Sequence, residues 1–462
     1  MKPFSNVLGA LSQKDSLTVE ETADRDGAQG NGWPRRYAGP LLGMLVIVVT
    51  GMAYSFFWPV LIYHAANWMI PDDLWNTYRA SEYIVWQGAG QIYNNPAAFQ
   101  TFPGIAVILT PIAKLAGVLN LSASTSIQIL HPTTWFILGP VELVLGSLLL
   151  FPLDKLAQLL SISSRRRAAL VIAESILIWP ALALWGHPED PLALALGIYG
   201  LIAVLDGAWF RTGIWFGLAI AVQPLVILIA PLLIALVPLK RWLMIGLEML
   251  IPSVALLLPP LIQEWGPSTR ILLQQPNYLQ YNHATPWASL APILKQSHVE
   301  TVRTLKYVKL ANGEHRSIEV VSTAHFQAVL AAGPGRIIVI LVACLLGVLV
   351  KMRQVSTAKL LWLAALALSL RCEFEPVMVP YYLLPGLALA LVVASTKRSS
   401  DFFVVCVAAG TCTVLSYLHL NAWIYYFAMS CPLFVALAWA WPRRNALAPL
   451  VTPDVQDSLA LP

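Results

Sequence analysis

The sequence predicts an all-α polytopic membrane protein, a bundle of about ten full transmembrane helices with short re-entrant helices between them. Two observations predict this fold class. Of the 462 residues, 58% are hydrophobic and only 11% are charged, which is too little polar surface to close a water-soluble globule. Apolar runs of about 17 to 25 residues also recur along nearly the whole chain, without a soluble domain between them. We therefore expect one membrane domain in a lipid bilayer.

Lys and Arg residues at the ends of the apolar runs predict the orientation of the helices, because short cytoplasmic loops collect positive charge. With the arginine pair at 35–36 inside, both termini are predicted to be cytoplasmic. Full spans are predicted at residues 41–62, 131–151, 170–184, 192–205, 243–262, 337–350, 359–370, 378–393, 402–418 and 423–441. Segment 105–118 is predicted to dip into the outer leaflet. A Gln-Pro pair at 223–224 divides segment 212–239 into a hairpin that starts and ends inside.

The long apolar stretches also define the predicted domain boundaries. These are cytoplasmic tails at 1–38 and 445–462, a transmembrane domain at 39–444, and external loops at 63–104 and 263–335. The N-terminal tail is predicted to be disordered. In the long external loop, residues alternate on both sides of Asn312-Gly313, a favoured two-residue turn. This pattern predicts a small external β-hairpin.

Three acidic clusters lie at predicted outer helix ends, whereas the short basic clusters face the cytoplasm. The clusters are Pro71-Asp72-Asp73, His187-Pro188-Glu189-Asp190 and Cys372-Glu373-Phe374-Glu375. A single acid at a helix end is usually solvated or caps the helix, but three clusters on one side predict an outward cavity lined by carboxylates. The net charge of +5 comes from scattered Lys and Arg residues, which is not the pattern of a nucleic-acid site.

Residues 71–117 read PDDLWNTYRASEYIVWQGAGQIYNNPAAFQTFPGIAVILTPIAKLAG. An Asp after the first helix is followed by a Tyr, by an Ala, Gly and Tyr series, and by an aromatic-Pro step before an apolar segment. The residues concerned are Asp73, Tyr78, Ala80, Gly88 or Gly90, Tyr93, Phe102, Pro103 and Pro111. This order resembles the first external segment of the GT-C glycosyltransferases that use polyprenyl-phosphate sugars. The closest resemblance is to glycosyltransferase family 87, the polyprenol-phosphate-mannose-dependent mannosyltransferases.

Two later segments extend the resemblance. WGHPEDPLALALG, at 185–197, stands where the family has a Gly-Gln or Gly-His motif that opens a helix. Segment 210–236 is similar to an apolar hairpin of the family. The resemblance covers residues 40–240 and is weaker over 282–294 and 375–387. The chain departs from the family pattern at Gln223, where a Lys is common, and in the more acidic HPED motif.

The resemblance implies a GT-C-like bundle in the plasma membrane with an active site that faces outward. It implies an inverting enzyme that moves a sugar, mannose or arabinose, from a polyprenyl-phosphate donor to a lipid-linked or cell-envelope glycan acceptor. Because such a donor already carries a good leaving group, transfer needs a base for the acceptor hydroxyl and positive groups for the phosphate. Direct displacement inverts the anomeric carbon.

The spacing to Tyr78 that the resemblance implies makes Asp73 the expected catalytic base. Asp72 is the alternative, and either acid could instead cap the helix that follows. The residues expected to orient sugar hydroxyls are His187, Glu189 and Asp190. They could also hold a divalent cation, but three such residues in close sequence are not a metal signature, so no metal site is assigned.

Further substrate contacts are expected around the donor phosphate, for which guanidinium groups are well suited. The phosphate candidates are Arg79, Arg270, His283 and Arg371, with Tyr381 and Tyr382 as further contacts to the lipid phosphate. Tyr78, Asn282 and Glu375 are additional candidate substrate contacts. Arg371 could instead form an internal ion pair with Glu373 or Glu375. The two tyrosines could instead be aromatic residues at the membrane interface.

Proteins of other classes would share some of these features. A secondary transporter would also be apolar and carry a broken hairpin such as 212–239, although no internal repeat relates two halves of the sequence. A lipid flippase or a polymer ligase would also need a cavity for a lipid phosphate. The discriminating observation is whether Asp73 and the HPED acids share one outward cavity with a lateral opening.

Overall fold

The computed structural model describes residues 37–63, 70–93, 99–121, 132–278, 284–309, 315–330, 333–353, 355–418 and 420–442. This part of the chain is mostly helical. Its helices are α1 Ala38–Tyr63, α2 Asp72–Trp86, α3 Gly104–Val118, α4 Trp135–Ser147, α5 Leu150–Leu159, α6 Ser164–Ala183, α7 Glu189–Leu205, α8 Trp209–Val222, α9 Ala230–Leu236, α10 Trp242–Gln263, α11 Trp265–Thr269, α12 Pro334–Met352, α13 Thr357–Phe374, α14 Leu384–Ala394, α15 Ser399–Leu415 and α16 Ala422–Ala440. The predicted terminal tails lie almost entirely outside the described residues.

Within the described residues, five helical segments are long and apolar enough to cross a membrane. They are Ala38–Phe57, Trp135–Leu159, Leu239–Gln263, Pro334–Met352 and Ala422–Ala440, with mean hydropathies from 1.5 to 2.4. Large apolar side chains such as Leu45, Leu247 and Leu345 are exposed on their surfaces. Such surface is stable in lipid and costly in water. The structure therefore agrees with a helical membrane protein, and the number of spans and their orientation stay predictions.

Other apolar helices are shorter, between 10 and 17 residues. The segment predicted as a hairpin contains α8, a 3-10 turn at Pro224–Ile229, and α9. Gln223 separates α8 from the turn with an extended backbone, at φ −147° and ψ 111°. Pro224 has no N–H to continue the helix and disfavours a helical conformation in the residue before it. The helix therefore breaks at the Gln-Pro step. The Gln223 side chain does not point where it would in a continued helix.

The long loop that is predicted to be external contains a three-stranded antiparallel sheet. Its strands are β1 Pro276–Tyr278, β2 Ile293–Lys309 and β3 His315–Leu330, in the order β1-β3-β2. The β2–β3 register runs from Ser297 opposite Gln327 to Lys309 opposite His315, and an irregularity precedes Ser297. The predicted Asn-Gly turn at 312–313 lies outside the described residues. The strands extend well beyond the alternating stretch from which a small hairpin was predicted.

A short stretch of this loop is fixed to the end of α13. Thr285 donates its backbone N–H to the carbonyl of Pro376 at 2.9 Å and its hydroxyl to the carbonyl of Glu375 at 2.6 Å. The ring of Trp287 packs 5.3 Å from that of Phe374. The loop therefore supports the chain segment that carries the third acidic cluster.

Candidate functional site

Two helices begin side by side at the end of the bundle that is predicted to face outward. They are α2, which starts at Asp72, and α7, which starts at Glu189. Gly186 has a φ of +65°, and a Cβ there would lie 2.6 Å from Leu74 Cβ and 2.7 Å from Pro71 Cβ. Glycine alone combines this backbone conformation with so close an approach. The contact places the loop before α7 directly against the start of α2.

The acids at these helix starts are not N-caps, which corrects the capping alternative. The N-cap positions are occupied by Pro71 and Pro188, and neither helix has a side-chain capping hydrogen bond. Asp73, Glu189 and Asp190 lie in the first turns, where the helix dipole favours negative charge. Asp72 is also in the first turn of α2, and its side chain lies outside what the structure describes. Capping therefore does not explain these acids.

The imidazole of His187 is surrounded by three carboxylates. Its Nδ1 lies 2.7 Å from Asp190 Oδ2 and 3.0 Å from Glu189 Oε1, and its Nε2 lies 3.9 Å from Asp73 Oδ2. The side chains of Glu189 and Asp190 are at most 3% exposed, whereas that of Asp73 is 36% exposed. Of these three carboxylates, Asp73 is the one that a ligand can reach.

The carboxylates also decide the charge of His187. Burial alone would lower its pKa, but attraction to Glu189, Asp190 and Asp73 outweighs burial and raises the pKa to about 9. The ring is therefore an imidazolium at neutral pH. It offsets part of the negative charge that the helix starts bring together.

Two tyrosines extend the site away from His187. The ring of Tyr381 stacks on the imidazole with 3.7 Å between ring centroids, and Trp185 packs edge-on against Tyr381. Tyr382 follows, with its ring centroid 5.1 Å from that of Tyr381 and nearly perpendicular to it. Both tyrosines belong to a 3-10 turn, Pro380–Leu383, that precedes α14. Tyr381 is buried, so it is not an aromatic residue of the membrane interface.

A guanidinium group follows the tyrosines. The Cζ of Arg371 lies 3.2 Å from the ring centroid of Tyr382, and its Nε donates to Glu375 Oε2 at 2.7 Å. The other oxygen of Glu375 accepts from Arg336 Nη2 at 3.1 Å. The ion pair offered as an alternative for Arg371 is therefore formed with Glu375. The site has a carboxylate end and a guanidinium end, joined by the two tyrosines.

A small cleft adjoins the tyrosine turn. Its walls include Leu177 and Ala181 of α6, Tyr381 and Leu384 of the turn and α14, and Thr413 and Tyr417 at the end of α15. Near the cleft, α6 and α15 also carry exposed apolar side chains, Ile176 and Val414. The cleft therefore lies between helices with lipid-compatible surfaces, and Tyr381 is common to the cleft and to the His187 cluster.

Sequence reasoning missed three residues of this region. Gln223 donates from Nε2 to Asp190 Oδ1 at 3.4 Å, and its position at a helix break was the signal that could have revealed it. Glu142 of α4 is fully buried and close enough to Glu189 for electrostatic interaction, and its carboxyl oxygens have no hydrogen-bond partner within the described ranges. An acid inside a predicted span was the signal for Glu142. Arg336 lies just before a predicted span and gave no signal of its own.

Two expected substrate contacts lie outside this cluster. Tyr78 is 1% exposed and packs in an apolar cluster with Leu109 and Trp135. Arg79 is on the exposed side of α2, with its Cζ 5.7 Å from the ring centroid of Trp75. Both residues thus have contacts within the protein other than those of the His187 cluster, and their role as substrate contacts stays a prediction. The other two, at 282–283, lie outside the described residues.

Replacing Gly186 with alanine is expected to separate the two helix starts. The added Cβ would be forced against Leu74 and Pro71, and overpacking of this kind costs about 1 to 3 kcal/mol. Gly88→Ala is the matched control, because Gly88 also has a positive φ, of +95°, but nothing lies within 4 Å of its Cβ position. Thermal unfolding in detergent should show a larger loss for Gly186→Ala. Equal losses would show that backbone strain alone, and not the close approach, matters at Gly186.

The charge of His187 predicts how its contribution to stability depends on pH. Because folding raises its pKa from 6.5 to about 9, the stabilisation is fully present below pH 6.5 and is lost as the pH rises through about 9, with an upper size of about 3 kcal/mol. His187→Gln should therefore destabilise the protein at pH 6.5 and much less at pH 9.5.

The control for this experiment is Arg167→Gln, which breaks the Arg167–Asp154 ion pair. Because arginine stays charged over this range, its effect on thermal unfolding should not change between pH 6.5 and 9.5. An effect of His187→Gln that is equally constant would contradict the charge assigned to His187.

The arrangement offers one accessible carboxylate, a buried imidazolium and a guanidinium group along one line of contacts, the combination needed to accept a proton and to hold an anion. Within the described ranges, no group of three or more His, Cys, Asp or Glu side chains is arranged to hold a metal ion. No known family model and no curated protein matches the chain. A function for this chain must therefore be argued from the contacts themselves.

Proposed function

We propose that the protein is an inverting membrane glycosyltransferase of the GT-C type. It transfers a sugar, mannose or arabinose, from a polyprenyl-phosphate donor to a lipid-linked or cell-envelope glycan acceptor at the outer face of the plasma membrane. The observation that carries the proposal is the meeting of Asp73 with the His187 loop. It places one reachable carboxylate at the same site as groups suited to sugar hydroxyls and phosphate.

Asp73 is assigned the role of base because the other two carboxylates of the cluster are committed. Glu189 and Asp190 are buried against the His187 imidazolium, so they hold its ring in place. Asp73 lies 3.9 Å from the same ring and remains partly exposed. An acceptor hydroxyl can approach its carboxylate, while His187 keeps positive charge nearby to balance the cluster.

The transfer is a single displacement. The acceptor hydroxyl gives its proton to the Asp73 carboxylate as its oxygen forms a bond to the anomeric carbon. The bond between that carbon and the phosphate oxygen breaks, and its electron pair leaves on the polyprenyl phosphate. Arg371 holds the phosphate of the donor in position through the negative charge that the phosphodiester already carries. Attack opposite the leaving group inverts the anomeric carbon.

The cleft beside Tyr381 supports a donor that enters from lipid. Leu177 and Leu384 give it an apolar side that suits the first part of an isoprenoid chain, and Tyr381 connects it to His187 on one side and to Tyr382 on the other. A chain in the cleft would bring the phosphate near the tyrosine turn, and Arg371 lies beside that turn. The bilayer is thus the solvent for the donor and the outer aqueous phase the route for the acceptor.

Asp73→Asn tests the base. It keeps the size of the side chain but cannot accept the proton, so turnover should fall by about 10²- to 10⁴-fold. The assay supplies purified protein in vesicles with polyprenyl-phosphate mannose or arabinose and a glycan acceptor, and it includes the corresponding nucleotide sugars as donors that should not react. Asp72→Asn is the matched control, and its effect should be small.

Near-normal transfer by Asp73→Asn would remove it as the base. Loss confined to Asp72→Asn would move that role back by one residue. Transfer from a nucleotide sugar would overturn the proposed function itself, and so would the absence of transfer from every donor tested.

The outward orientation of the site is tested by labelling. In a cysteine-free background, Ser289→Cys and Ser164→Cys place thiols at exposed positions, on the long loop and at the start of α6. A membrane-impermeant maleimide added to intact cells should label position 289 and not position 164. Labelling of position 164 from outside would reverse the topology and put the site in the cytoplasm.

A secondary transporter is the second candidate, and two observations favour it. Glu142 is a fully buried acid within a spanning segment, as in proton-coupled carriers. The helix break at Gln223 directs its side chain to Asp190, as broken helices do at transport sites. Proton-driven uptake of a sugar or lipid phosphate into sealed vesicles, without formation of a glycosidic bond, would favour this candidate over the transferase.

A further inference from the structure

Arg371 has a buried donor group that an anion could use and that no described residue uses. Its side chain is 9% exposed, and its guanidinium lies over the ring of Tyr382. Nε is engaged by Glu375, but Nη1 is buried without a hydrogen-bond partner among the described residues. A buried donor on a charged group is costly to leave unpaired. An anionic oxygen at Nη1 would remove that cost.

Arg336 brings a second guanidinium to the same carboxylate. Its Nη2 donates to Glu375 Oε1 at 3.1 Å and its Nη1 to Gln275 Oε1 at 2.6 Å. The approach depends on Gly335, where a Cβ would lie 1.7 Å from the carbonyl oxygen of Phe374. The start of α12 therefore lies directly on the end of α13. Both oxygens of Glu375 are used, one by each arginine.

The charges at this end of the site do not cancel. Two guanidinium groups share one carboxylate, which leaves one positive charge. Asp190 is near enough to Arg371 to interact with it electrostatically, but its carboxylate lies against the His187 imidazolium. Tyr382 adds a ring face and no formal charge. The guanidinium end therefore offers a net charge of one to a bound anion.

We propose that Arg336 and Arg371 form a phosphate seat whose capacity for negative charge is set by Glu375. With Glu375 in place, the seat matches the single charge of a phosphodiester, which is the form of phosphate in a polyprenyl-phosphate sugar. A phosphomonoester carries nearly two charges above its second pKa of about 6 and is only partly neutralised there. The inference rests on the proposed function for the identity of its ligand.

The charge balance has a consequence for turnover. Transfer of the sugar converts the phosphodiester of the donor into the phosphomonoester of the released lipid. The product thus carries one more negative charge than the substrate. A seat with one net positive charge leaves that extra charge without a partner, which favours release of the product. Glu375 contacts the two arginines and not the reacting atoms. It therefore determines which phosphate is bound and takes no part in the chemical step.

The experiment compares two probes of nearly equal size at pH 8, methyl farnesyl phosphate, a diester, and farnesyl phosphate, a monoester. Binding to purified protein in detergent is measured directly, without acceptor or sugar. Wild type should bind the diester at least as well as the monoester. Glu375→Gln raises the net charge of the seat to two and should shift the ratio of affinities toward the monoester by about 10-fold. Arg336→Gln lowers the net charge to zero and should shift the ratio the opposite way while weakening both probes.

Glu373→Gln is the matched control. Glu373 lies two residues from Glu375, but its Oε2 accepts from Ser430 on α16, so its removal should leave the ratio unchanged. A ratio that is the same in wild type, Glu375→Gln and Arg336→Gln would overturn the proposal, as would failure of wild type to bind either probe. Because Arg336→Gln moves the ratio independently, a Glu375→Gln variant that fails to fold does not remove the test.

Failure of this proposal is distinguishable from failure of the proposed function. If the ratio of affinities changes as expected in Glu375→Gln and Arg336→Gln but no sugar is transferred, the phosphate seat stands and the glycosyltransferase assignment falls. If sugar is transferred but the ratio does not move, the transferase assignment stands and the role of Glu375 falls.

Discussion

The contact between the His187 imidazolium and the acids around it is the interaction on which the site depends. Three carboxylates within 4 Å of one ring would repel each other strongly in a place largely shielded from water. The positive charge of the ring offsets part of this repulsion, and the ring in turn stacks on Tyr381. Without His187, the start of α7 would bring two buried negative charges together without a counter-charge. The helix starts and the tyrosine turn therefore form one electrostatic unit.

The same separation of charge organises the rest of the site. Carboxylates and the imidazolium lie at one end, and two arginines with one carboxylate lie at the other. The rings of Tyr381 and Tyr382 connect the two ends, since Tyr381 stacks on His187 and Tyr382 lies under the guanidinium of Arg371. Because each end contains groups of both signs, each can be buried at a tolerable cost in solvation. The fold thus keeps the partly exposed carboxylate of Asp73 and the guanidinium of Arg371 in one site, where the carboxylate lies beside His187 and the guanidinium pairs with Glu375.

Much of this arrangement could be predicted from the sequence, and the remainder could not for physical reasons. The carboxylates of Asp73 and of the HPED motif were expected to meet, because the topology put both at the same side of the membrane. The role of Gln223 depends on the rotation of a broken helix, which the Gln-Pro step predicts only as a break. Arg336 reaches Glu375 across 39 residues of chain, and no local pattern encodes such a contact. Tyr78 shows a further limit, since its spacing from Asp73 suggested a ligand contact and the sequence did not indicate that its aromatic ring packs in an apolar cluster.

The two points at which the long loop is attached to the helices show where this protein could be re-engineered. Gln275 is tied to Arg336, and Thr285 to the backbone of Glu375, so both attachments precede β2. Beyond these attachments β2 and β3 continue as a ribbon with a regular register, from the pair Ser297 and Gln327 to the pair Lys309 and His315. Residues removed in opposite pairs from its far end would preserve the alternation of faces and leave the attachments intact. The ribbon therefore provides a place, beyond the attachments to α12 and α13, where a rigid partner domain can be inserted as a marker for imaging.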